Sequence, residues 1–127
     1  MLEELFDSAR KAREQAYCPY SRFPVGAALL TSDGEIFAGC NVENLSFGLT
    51  LCAERTALCS AVAAGKRQFS GMVLVTDTPE PVTPCGACRQ ALYEFSPNMW
   101  IVTANLQGKQ RTYQLGELLP AAFSAKI

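Results

Sequence analysis

The chain contains no histidine. That absence removes Ser-His-Asp and Cys-His nucleophilic machinery, histidine general bases and every imidazole metal site. Any chemistry falls to carboxylates, thiolates, hydroxyls or a metal held without imidazole. A block of basic residues is missing as well. With 11 Lys+Arg against 12 Asp+Glu, the net charge is −1, which argues against a charge-driven partner such as nucleic acid or a membrane surface. No apolar run approaches the roughly 18 residues of a membrane span. The N-terminus, MLEELFDSARKAREQ, is charged and lacks an apolar signal core. A cytoplasmic protein is expected. What is present is globular: 127 residues, 49% hydrophobic and 18% charged, enough for a core and for one domain spanning 1–127.

Local pattern divides the chain without repeats or linkers. Leu2, Leu5, Phe6, Ala9, Ala12, Arg13 and Ala16 recur at helical spacing, acids early and bases late, and Pro19 is expected to end that helix. Val25–Thr31 and Ile36–Val42 read as strands of a hairpin turned at Ser32-Asp33-Gly34. A loop at Asn44–Leu51 leads to an Ala-rich helix over Cys52–Ala64, with Gly65 where a C-terminal cap belongs. Met72–Thr76 is a strand, Asp77–Thr83 a loop, and Pro84 opens a helix reaching about Phe95. Strands at Trp100–Ala104 and Arg111–Gln114 flank a turn at Leu106–Lys109. A helical stub at Glu117–Leu119 precedes Pro120 and the tail AAFSAKI. The order α-β-β-α-β-α-β-β-α predicts an α/β fold, a mixed five-stranded sheet covered by helices in a single domain. Each strand that follows a long helix should join in parallel by a right-handed crossover.

Six cysteines stand out: Cys18, Cys40, Cys52, Cys59, Cys85 and Cys88. In a reducing compartment they are buried thiols or metal ligands rather than disulfides. Cys85-Gly-Ala-Cys88 is a C-x₂-C pair, and three-residue spacing on a helix brings both sulfurs to one side. Alone, the pair also suits a thioredoxin-type redox site. Cys52 supplies a third sulfur at the start of another helix. Helix starts that follow loops converge at one end of an α/β sheet. Zinc accepts soft sulfur ligands in tetrahedral geometry; three ligands leave a position for water, whereas four make a closed structural site. Cys18, Cys40 or Cys59 is available as the fourth, although Cys40 and Cys59 read as core. Glu54, in the first turn after Cys52, is either a solvated acid favoured by the helix dipole or a proton shuttle beside metal-bound water.

Cys52-Ala53-Glu54, followed by Pro84-Cys85-Gly86-Ala87-Cys88, resembles the zinc-dependent nucleoside deaminases in their three-cysteine form. Cys40-Asn-Val-Glu-Asn44, the run CAERTAL and the tail Leu118-Leu-Pro-Ala-Ala-Phe123 narrow the likeness to the small homotetrameric cytidine deaminases, from about Leu5 to Phe123. The resemblance implies zinc held by Cys52, Cys85 and Cys88. It implies that Glu54 takes a proton from the zinc-bound water and passes it to the base. Asn41 and Glu43 would bind the ribose hydroxyls, Phe23 would pack on the nucleoside, and the Ala53 main chain would meet the pyrimidine carbonyl. Arg55 would donate to the thiolates and compensate their charge. Phe123 would reach the base from a neighbouring subunit, giving a homotetramer with shared active sites. At Phe47 many relatives carry tyrosine, so one polar contact in the sugar region is missing here.

The activity so implied is hydrolytic deamination of cytidine and deoxycytidine to uridine and deoxyuridine in pyrimidine salvage, with ammonia released. The substrate is a small nucleoside; neither nucleic acid nor a membrane is an expected partner. Two alternatives stand beside it: a deaminase of a cytosine-nucleoside antibiotic, and a non-catalytic module stabilised by zinc. The Asn41-Val-Glu43-Asn44 motif favours ordinary cytidine over the antibiotic.

Overall fold

The structure, a computed structural model, describes residues 1–125, so the last two residues of the AAFSAKI tail lie outside the described part. The elements are α1 (Leu2–Arg13), β1 (Val25–Thr31), β2 (Ile36–Cys40), a 3₁₀ turn (Phe47–Leu49), α2 (Ala53–Ala63), β3 (Phe69–Thr76), α3 (Gly86–Tyr93), β4 (Trp100–Asn105), β5 (Gln110–Gln114) and α4 (Leu115–Leu118). They build one five-stranded sheet in the order β2-β1-β3-β4-β5. The expected mixed sheet covered by helices is what the chain adopts.

The sheet is buried on both faces because its central strands carry apolar residues at odd and even positions alike. In β3, Met72 and Leu74 join Leu29 and Ile101 under α2 and α3, while Val73 and Val75 join Ala28 and Val102 under Leu5 and Ala9 of α1. Side chains alternate across a strand, so one apolar octad serves two cores. Only β3 and β4 pair in parallel; β1–β2, β1–β3 and β4–β5 are antiparallel. The expected parallel joining is met at both crossovers: β4 pairs in parallel with β3 across α3, and β3 runs parallel to β2 across α2 with β1 between them, whereas β1, which follows α1, has only antiparallel neighbours. The slot beside β1 is the sheet's centre and takes the most apolar strand, while the half-buried β2 stays at the edge.

Several element ends differ from the sequence reading; at α1 and β2 long-range backbone bonds outcompete local propensity, and at α3 and α4 the cap decides. Helix α1 stops at Arg13 rather than near Pro19. From Tyr17 on, the chain is drawn to the end of the hairpin: the Tyr17 N–H donates to the Asn41 carbonyl at 3.0 Å, and the Glu43 N–H to the Tyr17 carbonyl at 2.8 Å. Val42 and Leu51 exchange two bonds of 2.9 Å, so β2 ends at Cys40 and Val42 forms an isolated bridge. Helix α3 starts at Gly86 instead of Pro84, because Cys85 is its extended N-cap (φ −69°, ψ 166°). Residues Leu115–Leu118 form α4, slightly earlier than expected; Gln114 and Glu117 close a reciprocal capping box there. Gly65 does cap α2, at φ +88°, with Gly65 N–H on the Val62 carbonyl and Lys66 N–H on the Ala61 carbonyl.

Helix α2 carries Cys52 and Glu54 to the site, and its seat on β2 depends on Gly39. A Cβ there would lie 2.3 Å from Thr56 Oγ1, 2.4 Å from the Ala57 nitrogen and 2.7 Å from the Ala53 carbonyl oxygen. Two of these are helix backbone, so the whole helix must move. The Thr56 hydroxyl completes the join, 2.8 Å from the Cys40 carbonyl and 2.9 Å from that of Ala53. Gly39→Ala is expected to destabilise the protein by at least the roughly 1–3 kcal/mol of overpacking, measured by urea denaturation, and to weaken metal retention because α2 moves.

Candidate active site

Strands β2 and β3 run in the same direction, each paired antiparallel to β1. Beyond their carboxyl ends the chain loops back into α2 and α3, so both helices begin at the same end of the sheet. Cys52 caps α2 with φ −74° and ψ 155°, and Cys85 caps α3; neither helix has a side-chain cap bond. Serine, threonine, asparagine or aspartate would turn inward onto the first amides at such a position. Here the thiols are left free. Cys88, one turn into α3, is fully buried.

The sulfurs of Cys52, Cys85 and Cys88 all lie within 4.8 Å of one another, and those of Cys85 and Cys88 are 3.5 Å apart. A tetrahedral zinc with Zn–S near 2.3 Å sets its sulfurs about 3.8 Å apart, so the cluster fits that ion. Among the described residues this is the one group of three or more histidine, cysteine or acidic side chains so arranged. No fourth cysteine joins it. Cys59 is exposed, which corrects its reading as core. The buried stripe of α2 runs Ala53, Glu54, Ala57, Leu58 and Ala61, and Cys59 falls off that stripe. Cys40 is half-buried; its thiol is pushed up by burial and further by nearby Cys18. A closed four-cysteine site is thus absent from the described residues.

The cluster favours thiolate at Cys52, drawn down to about 5 first by a hydrogen bond from Cys88 and then by Arg55. Cys88 shifts upward as the donor of that bond and by its burial. Arg55 Nη2 lies 3.4 Å from the Cys52 sulfur and 3.5 Å from the Thr50 carbonyl, and its Nε is buried without a partner. Two helix N-termini add positive partial charge at the same point. Glu54 is only 5% exposed. Burial lifts its carboxyl to about 7, and the negative charge at Cys52 pushes in the same direction. A carboxyl held near neutrality can take up and give back protons.

Cys52, Glu54 and Cys85 line a cleft of about 280 Å³, small-molecule size rather than polymer size. Phe23, Val25, Leu74 and Val82 make its apolar walls, and Ala53 lies at its base. Asn41 and Glu43 reach its rim, but both are already engaged with protein. Asn41 Oδ1 accepts from the Val25 N–H at 2.9 Å, and its Nδ2 donates to the Phe23 carbonyl at 2.9 Å. Glu43 Oε1 accepts from the N–H groups of Tyr20 and Ser21 at 3.0 and 3.1 Å, and Oε2 accepts from the Ser21 hydroxyl. The two side chains therefore hold the 20–25 segment whatever else they bind. Phe47 is exposed and meets Tyr20 edge-to-face at 5.6 Å, beside Glu43 in an adjoining hollow. Phe123 is 80% exposed and does not line the cleft of its own chain; its carbonyl accepts from Gln90 Nε2 at 3.0 Å.

Sequence reasoning missed Ser21, Thr50, Val82 and Thr83 as cleft residues. They belong to loops of ordinary composition, and their role comes only from tertiary placement. It also missed Arg89, whose sole signal was a charge directly after Cys88 on a helix otherwise half apolar.

Comparison with known proteins agrees with this geometry. The family model described as "Cytidine and deoxycytidylate deaminase zinc-binding region" matches residues 1–104. A cytidine deaminase of Sporosarcina psychrophila is 52% identical over 124 residues, covering 97% of this chain and 91% of that one. The crystal structure of a cytidine deaminase from Burkholderia pseudomallei superimposes with a TM-score of 0.93 at 52% identity, covering 97% of this chain and 99% of the other. A blasticidin-S deaminase of Bacillus cereus is more distant, 31% identical over 108 residues, covering 79% of this chain and 76% of its own. The cofactor is zinc, as the matched region and the three-sulfur donor set agree. With fold, donor set and nearly the whole length of the sequence in accord, the chain belongs to the zinc-dependent cytidine and deoxycytidylate deaminase family.

Proposed function

We propose that the protein hydrolyses the amino group of cytidine and deoxycytidine, giving the uracil nucleoside and ammonia. The observation that carries this reading is a buried carboxyl, Glu54, set beside a three-cysteine cluster at the bottom of a nucleoside-sized cleft. A module that used the metal only for stability has no use for an acid in that position, since burying it is costly. Cys52, Cys85 and Cys88 hold the zinc. When bound, zinc supplies a Lewis acid that makes water acidic enough to attack at neutral pH. Glu54 accepts a proton from the attacking water and delivers one to the ring nitrogen beside the amine-bearing carbon. The new C–O bond forms, Glu54 carries the remaining hydroxyl proton to the amine, and the C–N bond breaks as the carbonyl forms, releasing ammonia. Arg55 offsets the thiolate charge. Phe23 packs on the nucleoside, the Ala53 main chain meets the pyrimidine carbonyl, and Asn41 and Glu43 present their remaining hydrogen-bonding capacity to the sugar.

The antibiotic-deaminase alternative ranks second, because the relative of that name is 31% identical against 52% for the cytidine deaminase. A polynucleotide substrate is disfavoured by a cleft that no Lys or Arg lines and by a net charge of −1. The proposed setting is cytosolic: the six cysteines are all free, as suits a reducing compartment, and no helix among the described residues is long and apolar enough to cross a membrane.

The proposed assembly is a homotetramer with shared active sites. Exposed apolar side chains crowd one stretch, with Leu45 at 77%, Phe47 at 71% and Leu49 at 65%, and Phe123 stands out at 80%. A patch of this kind suits a partner surface. In the proposed arrangement Phe123 completes the cleft of a neighbouring subunit.

Loss of cytidine absorbance in the ultraviolet, stopped by a zinc chelator, tests the activity; no change in absorbance with zinc-loaded protein overturns it. Metal analysis should give about one zinc per chain, and Cys52→Ala, Cys85→Ala and Cys88→Ala should each lose it, with lower stability because metal binding is linked to folding. Glu54→Gln should keep zinc and fold while turnover falls by at least roughly 10²–10⁴; steady-state kinetics on metal-quantified protein decides this. Shared sites predict complementation. If Phe123→Ala is impaired alone, refolding it together with Glu54→Gln should raise activity above the sum of the parents. Mixed oligomers seen by mass spectrometry without recovery would confine Phe123 to its own chain.

A further inference from the structure

Arg89 follows Cys88 on α3. Its guanidinium forks to three oxygens on two stretches of chain: Nε donates to the Pro84 carbonyl at 2.7 Å, Nη2 to Thr83 Oγ1 at 2.8 Å and Nη1 to the Leu118 carbonyl at 2.7 Å. Thr83 is part of the cleft wall, Pro84 directly precedes Cys85, and Leu118 ends α4. The next residue, Gln90, extends the same attachment to the Phe123 carbonyl.

The three sulfurs are not equally well held. Cys88 is buried in the body of α3, and Cys52 has Arg55 beside it. Cys85 is exposed at the end of a long loop between β3 and α3. The first half of that loop is tied to β4 and β5: Asn105 donates to the Pro79 carbonyl, and Lys109 and Arg111 pair with Glu80. In the second half, from Pro81 to Pro84, the side-chain hydrogen bonds come from Arg89. No carboxylate shares in the fork; among the described residues Arg89 is in none of the ion pairs. Its contribution is directional, a planar set of donors meeting three fixed acceptors, which a lysine cannot reproduce.

We infer that Arg89 is a positioning residue for the metal centre: it braces the Thr83–Pro84 loop against the C-terminal segment and so keeps Cys85 in place to ligate. The inference rests on the proposed zinc site. Arg55 and Arg89 then divide the work, one acting on thiolate charge by contact and the other on ligand geometry through the loop. The C-terminal segment gains a role inside its own subunit in addition to any in a neighbour.

The experiment compares transfer of zinc from intact protein to an excess of a chromogenic chelator for wild type, Arg89→Lys, Arg89→Gln and Thr83→Val, alongside thermal melting and separate KM and kcat values for cytidine. Both Arg89 variants should surrender zinc roughly 10–100-fold more readily, the usual effect of losing a group that orients a ligand. Thr83→Val should move in the same direction by less, and KM should rise as the cleft wall shifts. Wild-type zinc retention in Arg89→Lys would show that charge alone suffices and overturns the inference. So would variants that melt lower yet hold zinc as wild type does. Should the Arg89 variants fail to fold, Thr83→Val decides: faster release supports the brace, and wild-type release overturns it. A wild type that carries no zinc removes the proposed site and this inference with it, whereas zinc-loaded wild type with unaffected variants removes this inference alone.

Discussion

Three sulfurs, which a zinc ion takes as thiolates, must sit within 4.8 Å of one another, and most of the molecule is arranged around that demand. Like charges at this range repel strongly in a partly buried setting. The fold answers with two helix N-termini aimed at one point and with an arginine against the Cys52 sulfur. Each answer has structural conditions of its own. Two helices can start together only if β2 and β3 run the same way, which the shared antiparallel neighbour β1 ensures. Helix α2 can reach that point only by lying directly on Gly39. The sheet order, the close helix–strand contact and the cysteine N-caps are therefore parts of one solution.

The burial of Glu54 belongs to the same arrangement. The first turn of a helix normally offers an acid to solvent, where it is charged and cheaply accommodated. Here the turn is pressed into the floor of the cleft, and the carboxyl is raised towards neutrality by burial and then by the neighbouring sulfur. The cleft walls are apolar for the same reason that the core beneath them is. Leu74 belongs to the strand that carries both hydrophobic clusters and also faces the cleft.

Much of this was legible in the residues. Strand β1 could be read to its ends, because Val25–Thr31 is a continuous apolar run bounded by Pro24 and a turn, and burial on both faces is the setting that such a run suits. The metal cluster was legible because cysteine is chemically conspicuous and because helix starts in an α/β sheet share an end. The Tyr17–Val42–Leu51 bridges were not, since they join three segments far apart in sequence through backbone groups that every residue possesses. Cys59 was misplaced because an alanine-rich helix gives little contrast between its faces; Ala63 and Ala64 are exposed while Ala57 and Ala61 are buried. Arg89 escaped notice because a fork onto carbonyl oxygens has no charged partner to betray it.

The hydrogen bonds of Asn41 have a consequence for recognition. One carboxamide closes a ring of bonds from Phe23 to Val25, standing in for a rung that the hairpin would otherwise make, and Glu43 does the same for Tyr20 and Ser21. The mouth of the cleft is thereby ordered before anything enters it. A ligand arriving there gives up its own translational and rotational freedom but need not freeze a loop as well, and that second cost often weakens small-ligand sites. Selection at this mouth is then by shape: a bulkier ligand cannot be accommodated by a hinge opening, because moving the rim means breaking the bonds that shut the hairpin.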